Sequence, residues 1–167
     1  MKLLIASDIH GSAHWCRKLI ERFESENADK LVLLGDILYH GPRNPLPDEY
    51  APQKVCEMLN PIAGKIIAVR GNCDSEVDQM VLSFNVSSDY AVICDGQVQL
   101  TLSHGHRVVP PLGESDIYVT GHTHVPLNCR EKEGYLHLNP GSVSLPKEGS
   151  AHGYILYENG AFTFKNL

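Results

Sequence analysis

The sequence predicts an α/β fold in which two β-sheets pack together with helices on the outside. Three observations carry this reading. The apolar runs are of strand length, the early ones alternate with amphipathic helical stretches, and after Asp89 the pattern changes to closely spaced strands with turn signals between them. Taken in order, Lys2–Ala6 reads as a strand and His14–Phe23 as a helix with Trp15, Leu19, Ile20 and Phe23 on one face. Leu31–Leu34 is the second strand, and Gly41–Pro52, with four prolines, is an irregular loop. Pro52–Leu59 has helical spacing through Val55, Met58 and Leu59, and Lys65–Val69 follows as a strand. This β-α-β-α-β alternation implies parallel strands with right-handed crossovers. Tyr90–Cys94, Val98–Leu102, Ile117–Thr120, Tyr135–Leu138, Gly153–Tyr157 and Ala161–Phe164 complete the strands. Asp95-Gly96 and Glu158-Asn159-Gly160 mark hairpins.

The chain has 167 residues, 43% apolar and 20% charged, with no repeat, low-complexity tract or linker, so residues 1–167 read as one domain. Lys plus Arg is 14 against 20 for Asp plus Glu, a net charge of -6. Without clustered basic residues, a general nucleic-acid or anionic-membrane binder is not expected. The apolar run at Met1–Ala6 is too short for a signal segment or a membrane span, and the protein reads as cytoplasmic and soluble. Five scattered cysteines without a C-x-x-C pair point to reduced thiols, not a disulfide framework or a zinc knuckle. Nine histidines are the more informative count, because imidazole serves metals and proton transfer near neutral pH.

Polar, metal-capable side chains follow five of the apolar runs. Asp8-Ile9-His10, Asp36, Asn72-Cys73-Asp74, His104-Gly105-His106 and His122-Thr123-His124 each stand just past a predicted strand. Each has a plain structural alternative. Asp8 and His10 suit a strand-end turn or a helix cap, Gly35-Asp36 and Gly71-Asn72 are ordinary turn dipeptides, and a lone His104 is most often a satisfied or surface residue. Their recurrence in one relative position favours convergence on one crevice, since ligands bind outside the carboxyl ends of strands in open α/β sheets. His122 and His124 are the sharpest local pair, because alternate strand residues serve one site only where a strand is ending.

Two carboxylates, several imidazoles and an amide oxygen, with no thiolate required, point to Mn, Fe, Zn, Co or Ni and not to a metal that demands sulfur or an all-oxygen shell. The set exceeds the needs of one ion. Two ions about 3.5–4 Å apart sharing one carboxylate would use it, as in phosphatases and nucleases. Their charge favours an anionic substrate.

The ordered set Asp8-x-His10, Gly35-Asp36, Gly71-Asn72-x-Asp74, His104 and Gly121-His122-x-His124 resembles the signature of the calcineurin-like metallophosphoesterase superfamily. Ser7–Ser12, Tyr39–Asn44 and Arg70–Met80 are similar to the small bacterial phosphodiesterases of that superfamily. The resemblance implies a four-layer α/β/β/α sandwich of two mixed β-sheets flanked by helices, and a dinuclear centre. It implies Asp8, His10, Asp36 and His124 on one metal, and Asp36, Asn72, His104 and His122 on the other. The ions would be divalent, Mn²⁺ first, with Zn²⁺, Fe²⁺, Co²⁺, Ni²⁺ and Mg²⁺ as alternatives. A hydroxide bridging them would attack a small phosphodiester, with Asn72 and His104 beside the substrate.

The chain departs from the pattern at Cys73, where the superfamily usually carries a histidine that binds phosphate or protonates the leaving group. Cys73 is either a proton donor, weaker than imidazolium, or a small filler of the turn. His106 is a substrate contact or outer support, or simply exposed. Arg43 either reaches the substrate phosphate through its planar fork or is a solvated loop residue. Arg70 reads as a strand-end salt bridge, and Asn139-Pro140-Gly141-Ser142 as a turn that the resemblance puts near the metals. His14, His40, His137 and His152 have no assignment. Rival readings are a protein-binding module on the same scaffold, or a phosphomonoesterase or nuclease of the same superfamily. A homodimer or homotetramer is compatible with apolar strand edges after Asp89.

Overall fold

A computed structural model describes residues 1–167 as ten strands in two five-stranded sheets. The first sheet has β1 (Lys2–Ala6) at its centre, parallel to β2 (Lys30–Leu33), which is parallel to β3 (Ile66–Ala68). Between them run α1 (Ala13–Ser25) and α2 (Pro52–Leu59), followed by a 3₁₀ segment at Asn60–Lys65. The predicted β-α-β-α-β order is therefore present, with boundaries shifted by one or two residues. Ser12 caps α1, its Oγ accepting from Trp15 N at 3.3 Å, and Ala13, Cys16, Leu19 and Phe23 form the buried face.

The second sheet is built from β4 (Tyr90–Asp95), β5 (Val98–Ser103), β6 (Ile117–Val119), β7 (Pro126–Arg130) and β8 (Leu136–Pro140), in the order β4-β5-β6-β8-β7. It is mixed: β5, β6 and β8 are parallel neighbours, and β4 and β7 are antiparallel edges. The last hairpin, β9 (Gly153–Glu158) and β10 (Ala161–Asn166), returns to the first sheet, with β9 antiparallel to β1. Asn159 and Gly160, both at positive φ (49° and 86°), make its turn, as the Glu158-Asn159-Gly160 signal required.

Alternation on β1 divides the core. Leu4 and Ala6 face the helices with Leu19, Phe23, Val55 and Leu59, while Leu3 and Ile5 face the second sheet with Leu100, Leu102, Val119 and Leu138. β9 does the same with Tyr154 and Leu156 on the helix side and Ile155 and Tyr157 between the sheets, which is why it can sit inside the first sheet. Helical cover is concentrated on the first sheet, and no helix begins after Val81.

Two elements have no counterpart in the sequence reading. β7 starts at Pro126 and includes Asn128, both poor strand formers. It is tolerated because it lies on an edge, where a missing N–H costs no ladder bond. The other is α3 (Glu76–Val81), a single exposed turn and a half whose start is held by Asp78 Oδ2 accepting from Ser75 N at 2.8 Å.

Candidate metal centre

The carboxyl ends of β1, β2, β3, β5 and β6 each continue into a short loop, and those loops meet. The backbone of Asp8 donates to Gly35 O at 3.2 Å, that of His10 to Asp36 O at 2.9 Å, and that of Gly121 to His104 O at 3.0 Å, so pairing persists past the strands. Nine non-glycine residues have positive φ, and Asp8, His10, Asp36, His122 and His124 are five of them. Left-handed backbone at such residues costs about 1 kcal/mol or more each and collects at functional sites. This is how consecutive strand-end side chains turn toward one point. Gly71 lies so close to the Asp36 carboxylate and backbone N–H, and Gly121 so close to Ser7, that a Cβ at either position would collide.

Each aspartate spends one oxygen on the protein and leaves the other inward. Asp8 Oδ2 accepts from Ser7 Oγ at 2.6 Å and from His122 N at 3.0 Å, and Asp36 Oδ1 accepts from Cys73 N at 2.8 Å. Asp8 Oδ1 is buried and has no donor. It faces His10 Nε2 at 3.4 Å and His124 Nε2 at 3.2 Å. Asp36 Oδ2 lies 3.7 Å from His10 Nε2 and 3.4 Å from His104 Nε2, within reach of both halves of the cluster. Asn72 Oδ1 completes the second half, 3.0 Å from His104 Nε2.

The histidines are oriented from behind. Nδ1 of His10 donates to Tyr39 O at 2.8 Å, that of His104 to Leu34 O at 2.6 Å, and that of His124 to Leu145 O at 2.6 Å. A carbonyl only accepts, so Nδ1 carries the hydrogen, and in the neutral ring Nε2 presents a lone pair. Lone pairs and a donorless carboxylate oxygen thus converge in a buried space. That arrangement is repulsive without a positive charge inside it, and it fits nitrogen- and oxygen-preferring divalent cations.

The electrostatics carry the same imprint. Burial pulls His10 and His104 down, but hydrogen bonds and charge from Asp8 and Asp36 raise both, His104 to about 9. Asp8, despite complete burial, is held below the ordinary carboxylate range by His10 and His124. Burial, then the charge of His104, lowers His122 and His106.

Asp8, His10, Asp36, Asn72, His104 and His124 are thus brought together. His122 lies alongside, its ring 5.1 Å from that of His104, outside the tightest groups of ligand atoms. His106 is beside His104 at 5.3 Å between ring centroids, with a buried Nδ1 that has no partner. The open side is a crevice of about 540 Å³ whose walls include Asp36, Arg43, Asn44, Asn72, Cys73, His122, His124 and Lys147. Arg43 therefore reaches the crevice, whereas His106 is not part of its wall. Cys73 Sγ accepts from Asn72 Nδ2 at 3.2 Å, and burial followed by the Asp36 charge pushes its thiol pKa up. Arg70 pairs with Glu76 at 3.7 Å, the strand-end salt bridge expected of it.

Four residues have roles that the sequence reading did not give them. Asp74 is a clamp, accepting from the backbone N–H of Asp36 at 2.8 Å, Ile37 at 2.8 Å and Gly71 at 2.7 Å, so it ties the second loop to the third. Ser142 and Ser144 donate to Asp8 O at 2.9 and 3.0 Å, which gives the Asn139–Ser142 turn its place. Lys147 lines the crevice from a loop in which no local pattern announced it.

Residues 1–160 match the calcineurin-like phosphoesterase superfamily domain. The chain is 48% identical over 163 residues to Phosphodiesterase YfcE of Escherichia coli K12, covering 95% of this chain and 88% of the relative. The solved structure of the E. coli phosphoesterase YfcE superposes with a TM-score of 0.93 at 47% identity, over 98% of this chain and 91% of the other. Vps29 of Entamoeba histolytica, solved in complex with Zn²⁺, shares the fold at 19% identity and a TM-score of 0.64, over 99% and 97% of the two chains.

Proposed function

The chain belongs to the calcineurin-like phosphoesterase superfamily, and from that premise we propose a metal-dependent phosphodiesterase that works through two divalent cations held in the crevice. It is a phosphoric diester hydrolase. The observation that carries the reading is the buried convergence of Asp8 Oδ1, donorless, on histidine nitrogens oriented as acceptors.

Asp8, His10, Asp36 and His124 hold one cation, and Asp36, Asn72, His104 and His122 the other, with Mn²⁺ first and Zn²⁺, Fe²⁺, Co²⁺, Ni²⁺ or Mg²⁺ as alternatives. Bound there, such a pair supplies Lewis acidity at phosphorus and a water nucleophile of lowered pKa. The protein's part is placement. Asp36 reaches toward both groups of histidines, Asn72 lines the crevice, and the buried His104 stands behind it with Nε2 3.0 Å from Asn72 Oδ1. Arg43 and Lys147 offer cations to the phosphodiester from the crevice walls. The Cys73 thiol stays protonated beside Asp36 and lends the leaving oxygen little help, so diesters with good leaving groups react best. His106 supports His104 and His122 from outside.

Residues 1–167 act as one domain around the two sheets that share a core. The substrate is a small phosphodiester, without a stable nucleic-acid or membrane partner. Five unpaired cysteines suit the cytoplasm, and exposed Tyr90 and Val92 on β4 suit a homodimer or homotetramer. The deciding experiment is hydrolysis of an aryl phosphodiester by metal-stripped protein with and without added Mn²⁺. Turnover that appears only with the ion supports the proposal. A pure binding module would show none above background.

A further inference from the structure

The second sheet carries a separate group of ligand-type side chains at its β7–β8 edge. Cys129 stands directly opposite His137 in the antiparallel register, so both project from one face. Glu131, two residues beyond Cys129, keeps that face as the strand ends. Its N–H donates to Tyr135 O at 3.0 Å and its carbonyl accepts from Gly134 N at 2.9 Å, closing the turn between the strands. Cys129 Sγ lies 3.6 Å from Glu131 Oε1, His137 Nδ1 lies 3.0 Å from the same oxygen, and the three ligand atoms are all within 4.8 Å of one another.

These separations can be compared with the edges of a tetrahedral zinc site. Bonds of about 2.3 Å to sulfur and about 2.0 Å to nitrogen and oxygen give S···O edges of about 3.5 Å and N···O edges of about 3.3 Å. The observed 3.6 and 3.0 Å differ from these by a few tenths of an ångström. The other ring nitrogen of His137 is already anchored, 2.9 Å from Thr120 Oγ1, the outer partner that a metal-bound imidazole normally keeps. All three side chains are partly exposed, so an ion can enter from solvent.

We propose that Cys129, Glu131 and His137 form a binding site for a zinc-class divalent ion on the outer face of the second sheet, with water in the fourth position. A sulfur donor among its ligands sets its preference apart from that of Asp8, His10, Asp36, Asn72, His104, His122 and His124. In the ion-free protein His137 Nδ1 donates to the Glu131 carboxylate. On binding, the Cys129 S–H bond is exchanged for a sulfur–metal bond and its proton goes to solvent, while the single His137 ring hydrogen moves from Nδ1 to Nε2 and is donated to Thr120 Oγ1, leaving Nδ1 free to ligate.

The test is a Co²⁺ titration of full-length Cys73→Ser protein, in which no thiol remains among the crevice groups. Thiolate ligation produces an intense near-ultraviolet sulfur-to-cobalt charge-transfer band that nitrogen and oxygen donors do not. The band is expected in this parent, absent after the further change Cys129→Ser, and bleached by Zn²⁺. Glu131→Gln, at a partly exposed position, keeps the sulfur and should weaken Co²⁺ binding at this band about tenfold or more. A parent without the band, a band that survives Cys129→Ser, or an unchanged affinity in Glu131→Gln each overturns the proposal. In those cases the three residues are a hydrogen-bonded brace of the hairpin. Circular dichroism of each variant, with His137→Gln as a third reporter, separates loss of the site from loss of the fold.

Discussion

The Nε2 atoms of His10 and His124 lie 3.1 Å apart in a buried space, although 114 positions separate the two residues in the chain. Each ring has its Nδ1 tied to a backbone carbonyl, so the close pair of nitrogens is imposed by the surrounding loops. With both rings neutral, two acceptors held this near each other store repulsion, which a proton on His10 or a shared cation relieves. The behaviour of the centre should follow from that.

Asp36→Ala removes the one carboxylate that reaches both groups of histidines. Both ions should be lost together, and turnover of an aryl diester should fall by more than about 100-fold. Metal content after equilibrium dialysis, measured beside the rate, checks this. Retention of one full equivalent of metal would show that Asp36 is not shared.

Metal affinity should rise with pH. In the ion-free protein His104 is raised to about 9, so near neutrality a bound proton must leave before an ion can enter. Mn²⁺ titrations should therefore give tighter binding at pH 8.5 than at pH 6.5. Stability of the ion-free protein runs the other way. The folded pKa of His104 exceeds its ordinary 6.5, so its contribution is complete below that value and is lost as pH rises through about 9. Thermal unfolding of the stripped protein across this window, with and without Mn²⁺, reads both trends.

Asp74→Asn tests the clamp. One amide oxygen replaces two carboxylate oxygens that accept from three backbone N–H groups, so at least one donor meets an NH₂ group. A loss of about 1–3 kcal/mol in urea unfolding is expected, with weaker metal binding as a consequence of loosened loops. Wild-type stability in this variant would remove Asp74 from the account.

Cys73→His should flatten the dependence of rate on leaving group. A titratable imidazole in place of a thiol pushed up in pKa should speed diesters with alkyl leaving groups by about 100-fold, with little gain for nitrophenyl ones. Cys73 Sγ is only 3.1 Å from where a Gly41 Cβ would stand, so the larger ring must displace the Gly41–Asn44 loop. Equal effects on both substrate types would argue for repacking alone.

Arg43→Ala and Lys147→Ala should each raise KM for a diester about 3- to 10-fold at unchanged kcat, because both line the crevice without contacting the converging metal-ligand atoms. Steady-state kinetics at low ionic strength measures the split. A fall in kcat with KM unchanged would place them in the chemistry.

What could be read from the chain without coordinates was whatever is encoded locally. Strand-length apolar runs marked nine of the ten strands and helical spacing the two longer helices, and five polar clusters each stood at a strand's carboxyl end. β7 and α3 were not legible, because one begins with proline on an edge and the other is a short exposed turn; packing and pairing, not propensity, sustain them. The roles of Tyr39 O, Leu145 O, Ser142 and Ser144 were equally hidden, since a backbone carbonyl or a buried serine has no signature until a distant loop reaches it, and Asp74, though part of the third motif, showed its clamp only once the second loop lay against it. The same holds for Cys129, Glu131 and His137, whose meeting depends on the register of β7 against β8. Residue type and spacing determined which donors the protein owns. Their distances, tautomers and unshared lone pairs were decided by the tertiary structure, because those depend on contacts between segments that are remote along the backbone and adjacent only in the folded chain.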